Sequence, residues 1–232
     1  ETKSRPRKRR SEGIVQFTDG IGIVGTKFEF AALLEFTGEG ERESGISIKM
    51  EAGKLTAWAT NGHSAVYHHG STFDGSGKPS KSEDTWNIPT VSLEMIVKAA
   101  GSKDEIILEL DKKRQLRDAK IRDIESSEVL GMFSLSDVST TGVLYDLAAV
   151  VPARPDRESC SVGCVNISPS LLFLLKKVAK AACCDSCRIW MPSSGSGPLY
   201  VEVDLLKDLM DEDSPRWVCV LMPLTPSEET ET

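Results

Sequence analysis

Apolar and polar positions follow an order along the chain that occurs three times. Each occurrence predicts a short strand, an amphipathic helix of about three turns, and then three more strands. The helices are predicted at residues 27–37, 90–100 and 168–182. The strands that precede them are predicted at residues 14–17, 85–88 and 164–167. The strands that follow them are predicted at residues 46–51, 55–60 and 65–69, at 106–110, 119–124 and 129–135, and at 188–191, 199–203 and 217–221.

Local signals mark the ends of the second and third helices. Pro89 suits a helix start because its fixed φ angle fits the first turn, and Gly101 suits a helix end. Ser168 is expected to cap the third helix, with Pro169 at its first position. These residues predict where both helices begin without reference to any long-range contact.

The short connections within each segment indicate how the strands pair. They leave no room for crossovers, so the strands are expected to be antiparallel. Repeated βαβββ modules of this kind predict an α+β fold whose helices gather on one face of the sheets. Changes in composition divide the chain into a basic arm at residues 1–12, a domain of two modules at 13–152, a linker at 153–161, a half-domain at 162–224 and an acidic tail at 225–232.

Composition and charge limit the classes of function. Of the 232 residues, 40% are hydrophobic and 27% are charged, which is enough apolar material for a core. No apolar stretch approaches the ~20 residues of a membrane span, and no secretory signal follows the basic run at residues 3–10. Lys and Arg number 28 against 35 Asp and Glu, a formal charge of −7. Any DNA contact therefore has to come from a local basic face.

The six cysteines raise one alternative function. Without an export signal they indicate a reducing compartment and free thiols. Four of them have the C-x3-C and C-x2-C spacings of zinc sites: Cys160, Cys164, Cys184 and Cys187. Cys164 and Cys187 also fall in apolar runs, where cysteine acts as a small core residue. A zinc-stabilised regulatory protein is therefore an alternative, whereas the favoured interpretation needs no metal or cofactor.

A glycine pattern raises a second alternative. Gly20, Gly22 and Gly25 form a G-x-G-x-x-G stretch, which can bring backbone N–H groups to a phosphate at a helix N-terminus. This would make the protein a nucleotide-binding enzyme. The chain does not continue in the alternating βα order of dinucleotide-binding folds, so a glycine-rich connection from strand to helix is favoured. The three histidines accompany no catalytic motif, and an enzyme is not expected.

Three separated segments carry recognisable motifs. Residues 54–69 read KLTAWATNGHSAVYHH, residues 142–152 read GVLYDLAAVVP, and residues 217–224 read WVCVLMPL. In this order they resemble the bacterial replicative sliding clamp, the beta subunit of DNA polymerase III. Its corresponding stretches read L-x-x-x-A-T-D-G-H-R-L-A, G-x-F-P-D-Y-x-x-V-x-P and Y-V-x-M-P-M-R-L, so Asn61, Ser64 and Ala65 are departures. The resemblance covers residues 14–224 in patches and implies a sliding-clamp fold with the middle domain and the C-terminal half of the last domain.

The resemblance also implies a peptide-binding site. In that family a groove between the middle and last domains binds short peptides of polymerases, clamp loaders and repair proteins. Carried to this chain, the groove residues are Thr60, Gly62, His63, Ser64, Ala65, Pro152, Val220, Leu221, Met222, Pro223 and Leu224. Met222 and Leu224 would supply adaptable apolar surface, and Thr60 and His63 can form hydrogen bonds. The alternative for Val220 and Met222 is an ordinary place in the core of the sheet.

A helix face lining a DNA channel is the second implied surface. Its candidate residues are lysines of the three helices: Lys27, Lys98, Lys176, Lys177 and Lys180. Such lysines would contact phosphates without reading the base sequence. Glu29, Glu35 and Glu94 on the same helices make that face only weakly basic. The expected function is a non-enzymatic scaffold of DNA replication or repair. It is expected to be a bacterial or phage protein, homo-oligomeric, without membrane contact, and cytoplasmic near the nucleoid.

Overall fold

The computed structural model describes residues 16–18, 22–38, 45–51, 54–73, 83–135, 167–184, 187–191, 197–203 and 217–222. Within these ranges the helices are α1 (Lys27–Leu34), α2 (Thr90–Ala99) and α3 (Pro169–Ala181). The strands are β1 (Gln16–Thr18), β2 (Gly22–Thr26), β3 (Gly45–Glu51), β4 (Lys54–Thr60), β5 (Ser64–Phe73), β6 (Asp84–Pro89), β7 (Asp104–Leu110), β8 (Leu116–Asp123), β9 (Val129–Ser134), β10 (Arg188–Trp190), β11 (Leu199–Val203) and β12 (Trp217–Leu221).

These elements group into three modules. Module 1 contains β1 to β5 with α1, module 2 contains β6 to β9 with α2, and module 3 contains α3 with β10 to β12. The predicted helices, and the three strands predicted after each of them, are confirmed with small shifts at their ends. The strand predicted at residues 164–167 lies outside the described residues. So do the basic arm, the linker and the acidic tail.

α1 begins where it does because Thr26 caps it. The hydroxyl oxygen of Thr26 accepts the N–H of Glu29 (3.4 Å), and the carboxylate of Glu29 accepts the N–H of Thr26 (2.5 Å). This reciprocal capping box satisfies two backbone donors at the start of the helix. The helix ends at Leu34, before the predicted end at residue 37, because the N–H of Phe36 bonds to Leu33 and tightens the last turn.

Proline marks the start of the other two helices, as predicted. Pro89 is both the last residue of β6 and the N-cap of α2. Pro169 is the first residue of α3, where a missing N–H costs no hydrogen bond, and Ser168 is its N-cap. The hydroxyl of Ser168 does not cap the backbone; it lies 2.7 Å from the hydroxyl of Ser170. The position of this cap was therefore predicted correctly, but its hydrogen bond was not.

Modules 1 and 2 complete each other's sheets. β2 of module 1 pairs antiparallel with β7 of module 2, and Val24 lies opposite Ile107. β6 of module 2 pairs antiparallel with β3 of module 1, and Ile48 lies opposite Trp86. In both cases the strand that precedes one helix joins the three strands that follow the other helix. The exchange makes the two modules a single folding unit.

Module 3 extends the sheet of module 1. β12 pairs antiparallel with β5, with Cys219 opposite Val66, and β11 and β10 follow in order. On the helix layer, α1 packs against both α2 and α3. One short parallel contact, between β1 and β5, is the exception to the antiparallel pairing. The predicted α+β architecture, with antiparallel sheets and helices on one side, is confirmed.

One core runs between the helices and the sheets. Its largest fully buried side chains include Trp86, Trp217, Phe30 and Phe36, which come from all three modules. Continuity of this core across the modules explains why module 3 docks on module 1 instead of standing apart. Within the described ranges, the structure contains no helix with the length and apolarity needed to cross a membrane.

Candidate functional site

The turn between β4 and β5 is organised by two polar side chains. The amide oxygen of Asn61 accepts the N–H groups of His63 (3.1 Å) and Ser64 (2.8 Å). The hydroxyl of Thr60 donates to the carbonyl oxygen of Ser64 (3.0 Å) and accepts the N–H of Gly62 (3.2 Å). Gly62 has a φ of +83°, a conformation that favours glycine. Although Asn61 departs from the family motif, its oxygen supplies the acceptor that holds the turn.

The last strand of the chain lies directly beside this turn. Its register with β5 places Val220 opposite Ala65 and Leu221 opposite Ser64. One residue further along, the N–H of Met222 donates to the carbonyl oxygen of His63 at 3.0 Å. The two segments that the resemblance assigned to one groove are therefore adjacent, although they lie far apart in the sequence.

Burial separates the predicted groove residues into floor and surface. Directly opposed residues of paired strands share a face. Leu221 and Ser64 face the helices, where Leu221 is part of the core, whereas Ala65 and Val220 face away from them. All four are 5% exposed or less, but Met222 is 46% exposed. A partner could therefore touch Met222 and the exposed turn, with the buried residues beneath them.

An aromatic cluster on the same outer face joins modules 1 and 3. Its buried members are Trp58, Tyr67, Trp190, Tyr200 and Val218. The hydroxyl groups of Tyr67 in β5 and Tyr200 in β11 are hydrogen bonded at 3.2 Å. No motif in the sequence marks these residues, although the two-residue alternation of their strands places them on the face of Ala65 and Val220. They give the candidate site a rigid support.

On the helix side of this junction, His68 packs against Trp217. The two residues are opposite each other in β5 and β12, and their ring centroids are 4.4 Å apart. His68 is 1% exposed, and its ring nitrogens have no hydrogen-bond partner among the described residues. Burial, and to a smaller extent the neighbouring charge of His69, lowers the pKa of His68 to about 3. The neutral imidazole therefore acts as a core residue.

The predicted peptide site is described in part. Pro152, Pro223 and Leu224 lie outside the described residues. The other predicted members meet at the β5–β12 junction, and their role in binding a peptide stays a prediction. Thr60 contributes less than expected, because its hydroxyl already donates and accepts within the turn.

Three of the five lysines predicted to face DNA are already engaged within the protein. Lys27 donates to the carbonyl oxygen of Ala100, the C-cap of α2, so it joins the start of one helix to the end of another. The other two form ion pairs, Lys98 with Glu94 at 2.9 Å and Lys177 with Glu35. Their charges are partly compensated, which weakens their electrostatic attraction to phosphate groups.

The remaining two lysines lie on the exposed side of α3. Lys176 is exposed and has no ion pair among the described residues. Lys180 is exposed as well, and its ammonium group lies 4.3 Å from the ring centroid of Phe28. A cation–π contact of this kind leaves the positive charge uncompensated. Lys176 and Lys180 are one helical turn apart and form the most available basic pair of the predicted channel face.

The glycine-rich stretch before α1 is a strand, not the expected connection. β2 contains Gly22, whose φ is +118°. A Cβ atom at this position would lie only 2.0 Å from the carbonyl oxygen of Leu108. The glycine is therefore required by close packing against β7. The Glu29 carboxylate already occupies the N-terminus of α1, where a phosphate would bind. Gly20 lies outside the described residues, and the described part of the stretch does not favour a nucleotide site.

The cysteines considered as zinc ligands are only partly described. Cys160 and Cys164 lie outside the described residues, Cys184 is half-buried, and Cys187 is exposed instead of taking the expected core position. Although Cys187 is exposed, nearby protein atoms partly desolvate its thiol, and this desolvation, followed by the neighbouring Cys184, raises the pKa of Cys187 and opposes the thiolate form that binds zinc. Among the described residues, no group of three or more His, Cys, Asp or Glu side chains could hold a metal ion.

Known proteins resemble this chain in structure more than in sequence. No protein-family model and no curated protein sequence matches it. The beta subunit of DNA polymerase III from Thermotoga maritima has a TM-score of 0.53 at 8% identity, over 90% of this chain and 66% of that one. The subunit from Pseudomonas aeruginosa gives 0.51 at 13% identity, over 87% and 65%. The Helicobacter pylori beta clamp, solved in complex with carprofen, gives 0.54 at 12% identity, over 86% and 64%.

These similarities establish the fold. The chain has the sliding-clamp fold that its three motifs predicted. It spans 64–66% of the length of those clamp chains. At identities of 8–13% the likeness concerns the path of the backbone, and the function has to be argued from the residues of this chain.

Proposed function

We propose that the chain is a non-enzymatic, clamp-like scaffold of DNA replication or repair. It binds short peptide segments of polymerases, clamp loaders or repair proteins at the β5–β12 junction. It contacts DNA without sequence preference through the exposed side of α3. It acts as a homo-oligomer in the cytoplasm, close to the nucleoid. The sliding-clamp fold supports this function, and the contact between Met222 and His63 is the observation that carries it.

The proposed peptide site combines an exposed methionine with an exposed turn. Met222 offers a flexible, exposed thioether beside the exposed turn of Gly62 and His63. A peptide that buries two large apolar side chains there would gain roughly 3–6 kcal/mol before ordering costs. This gain is smaller than the roughly 8.2 kcal/mol of a complex with a Kd of 1 μM, so the Kd of a short peptide is expected to be tens of micromolar or weaker. The buried aromatic cluster beneath keeps the site preformed, which limits the cost of ordering the protein.

The proposed DNA contact depends on two lysines of α3. Lys176 and Lys180 lie one turn apart on its exposed side, whereas Leu175 and Val178 of the same helix are buried. Ammonium groups on a helix surface bind phosphates by charge and do not distinguish bases. With an overall charge of −7, the protein is expected to bind DNA weakly and only at low salt.

The peptide proposal is tested by titrating a labelled peptide that carries a leucine–phenylalanine pair against the full chain. The wild-type protein is expected to bind with a Kd of tens of micromolar or weaker, and Met222→Asp to bind at least tenfold more weakly than the wild type, because a charge replaces apolar surface. Leu172→Asp is the matched control, since Leu172 is 49% exposed on α3 and belongs to neither the β4–β5 turn nor β12. Absence of binding to the wild type, or equal binding to Met222→Asp, contradicts the proposed peptide site.

A further inference from the structure

α3 presents an exposed aromatic ring beside its exposed lysines. Phe173 is 56% exposed and lies on the side of the helix opposite the buried Leu175 and Val178. Lys176 and Lys180 follow it three and seven residues later, so the ring and both lysines share one side of the helix. From the rise of an α-helix, the lysines lie roughly 4.5 and 10.5 Å beyond the ring along the helix axis. One face therefore combines an aromatic surface with two positive charges.

Cation–π contacts order this face of the helix. The ammonium group of Lys177 lies 5.3 Å from the centroid of the Phe173 ring, and that of Lys180 lies 4.3 Å from the ring centroid of Phe28 in α1. Lys177 is also paired with Glu35, so it holds the Phe173 ring from one side. More than half of Phe173 stays exposed, which leaves a surface on which a flat ligand can stack. Because the ring is ordered in advance, stacking on it costs little conformational entropy.

The acidic residues of the neighbouring helix do not cancel the charge of this face. Glu29 of α1 is buried, and its carboxylate accepts the N–H of Thr26. Glu35, at the end of α1, is paired with Lys177. α3 itself contains no acidic residue. The face is therefore complementary to an anion that also carries flat apolar groups.

Double-stranded and single-stranded DNA offer different groups to such a face. A duplex presents phosphates and sugars on its outside and keeps the flat faces of its bases stacked inside. Against a duplex, the apolar ring of Phe173 would lie between charged groups that lose water without gaining a partner. A single strand offers phosphates and base faces together. Positive charges interleaved with aromatic rings are the combination that binds single strands.

We propose that the exposed side of α3 binds single-stranded DNA, with a base stacked on Phe173 and phosphates at Lys176 and Lys180. This inference rests on the DNA contact of the proposed function and specifies that its ligand is an unpaired strand. Stacking tolerates every base, because each base has a flat face. RNA is not the expected ligand, since Leu172, which is 49% exposed beside the ring, offers no hydrogen-bond partner to a 2′-hydroxyl group.

The ligand is tested by fluorescence anisotropy of the full chain with a labelled oligothymidine of about 20 nucleotides and with a duplex of equal length. At low salt, the wild type is expected to bind the single strand about tenfold more tightly than the duplex. Phe173→Leu keeps an apolar side chain but removes the ring. It should weaken single-strand binding by about fivefold or more and leave duplex binding nearly unchanged. Phe173→Trp should retain the single-strand affinity of the wild type, because it retains a ring for stacking.

Met95→Ala provides the matched control. Met95 is 55% exposed on α2, but the lysine one turn along, Lys98, is paired with Glu94 at 2.9 Å. This variant removes exposed apolar surface without touching α3, so it should bind both DNA forms like the wild type. Salt dependence gives a second measurement: Phe173→Leu should keep the wild-type slope of log K against log salt, because it loses no phosphate contact. The basic arm is present in every variant, so it does not contribute to the differences between them.

Four results would overturn the proposal. Equal single-strand affinity of the wild type and Phe173→Leu excludes stacking on the ring and favours a protein partner for it. A duplex that binds as tightly as the single strand overturns the choice of ligand but leaves the DNA contact of the proposed function intact. Tighter binding of an oligouridine than of the oligothymidine assigns the face to RNA. Absence of binding to either DNA form contradicts the DNA contact itself, and single-strand binding with it.

Discussion

His68 makes the junction between modules 1 and 3 sensitive to pH. Its pKa is about 3 in the folded protein, against a normal value of 6.5 in the unfolded chain. Below pH 6.5 the unfolded chain therefore binds a proton that the folded protein does not accept until about pH 3. By linkage, the free energy of unfolding decreases as the pH falls through this window, and the contribution of His68 is complete only above pH 6.5.

The expected effect is a loss of about 2 kcal/mol in the free energy of unfolding between pH 7.5 and pH 5, at 1.36 kcal/mol per pKa unit. Urea unfolding at the two pH values measures it. His68→Phe keeps an aromatic ring against Trp217 but removes the titration, so this difference should shrink. His63→Phe, at an exposed turn position, should retain the wild-type difference. If His68→Phe retains it as well, the destabilisation at acid pH comes from other groups.

At the scale of elements, α3 is the helix whose lysines are most available for contact with DNA. Lys27 of α1 is bonded to the end of α2, and the lysines at 98 and 177 are paired with glutamates. Lys176 and Lys180 differ because no carboxylate among the described residues pairs with them. DNA affinity should therefore depend on α3 far more than on α1 or α2.

Replacing both Lys176 and Lys180 with Glu should remove most DNA binding. Measured by fluorescence anisotropy against salt concentration, the slope of log K should fall by about two, at roughly 0.9 per lost phosphate contact. Lys112→Glu with Lys113→Glu is the matched control, since it changes the net charge equally at exposed positions between β7 and β8. Both pairs are also measured without residues 1–11, because the basic arm can bind DNA by itself. Equal losses in the two double variants would indicate an effect of net charge alone.

Elements could be predicted where their causes are local. The capping pair of Thr26 and Glu29 and the proline at 169 lie within a few residues of the helices that they start. β2 could not be predicted, because its Gly22 is required by the carbonyl oxygen of Leu108 in another module. The exchange of strands between modules depends equally on distant partners. The adjacency of the β4–β5 turn and Met222 came from the resemblance to sliding clamps, since no local pattern pairs β5 with β12.

At the scale of the whole molecule, module 1 is the centre of the assembly. It exchanges strands with module 2 and receives module 3 through β5 and α1. The main contacts of module 3 among the described residues are those of β12 with β5 and of α3 with α1. Module 3 therefore depends on module 1 for its stability, but modules 1 and 2 do not depend on module 3 in the same way.

This dependence predicts an asymmetric response to two buried tryptophans. Trp217 in β12 is 1% exposed, and Trp86 in β6 is 2% exposed, so either change to Ala removes a large core side chain and costs about 3–5 kcal/mol. In native-state hydrogen exchange, Trp217→Ala should speed exchange in β10 to β12 and leave β3, β4, β7 and β8 nearly unchanged. Trp86→Ala should speed exchange in all three modules. Trp86 lies in β6 of module 2, which pairs with β3 of module 1, so its loss opens modules 1 and 2 together, and module 3 then loses its support on module 1. Uniform acceleration by Trp217→Ala would instead show that the three modules unfold as one cooperative unit.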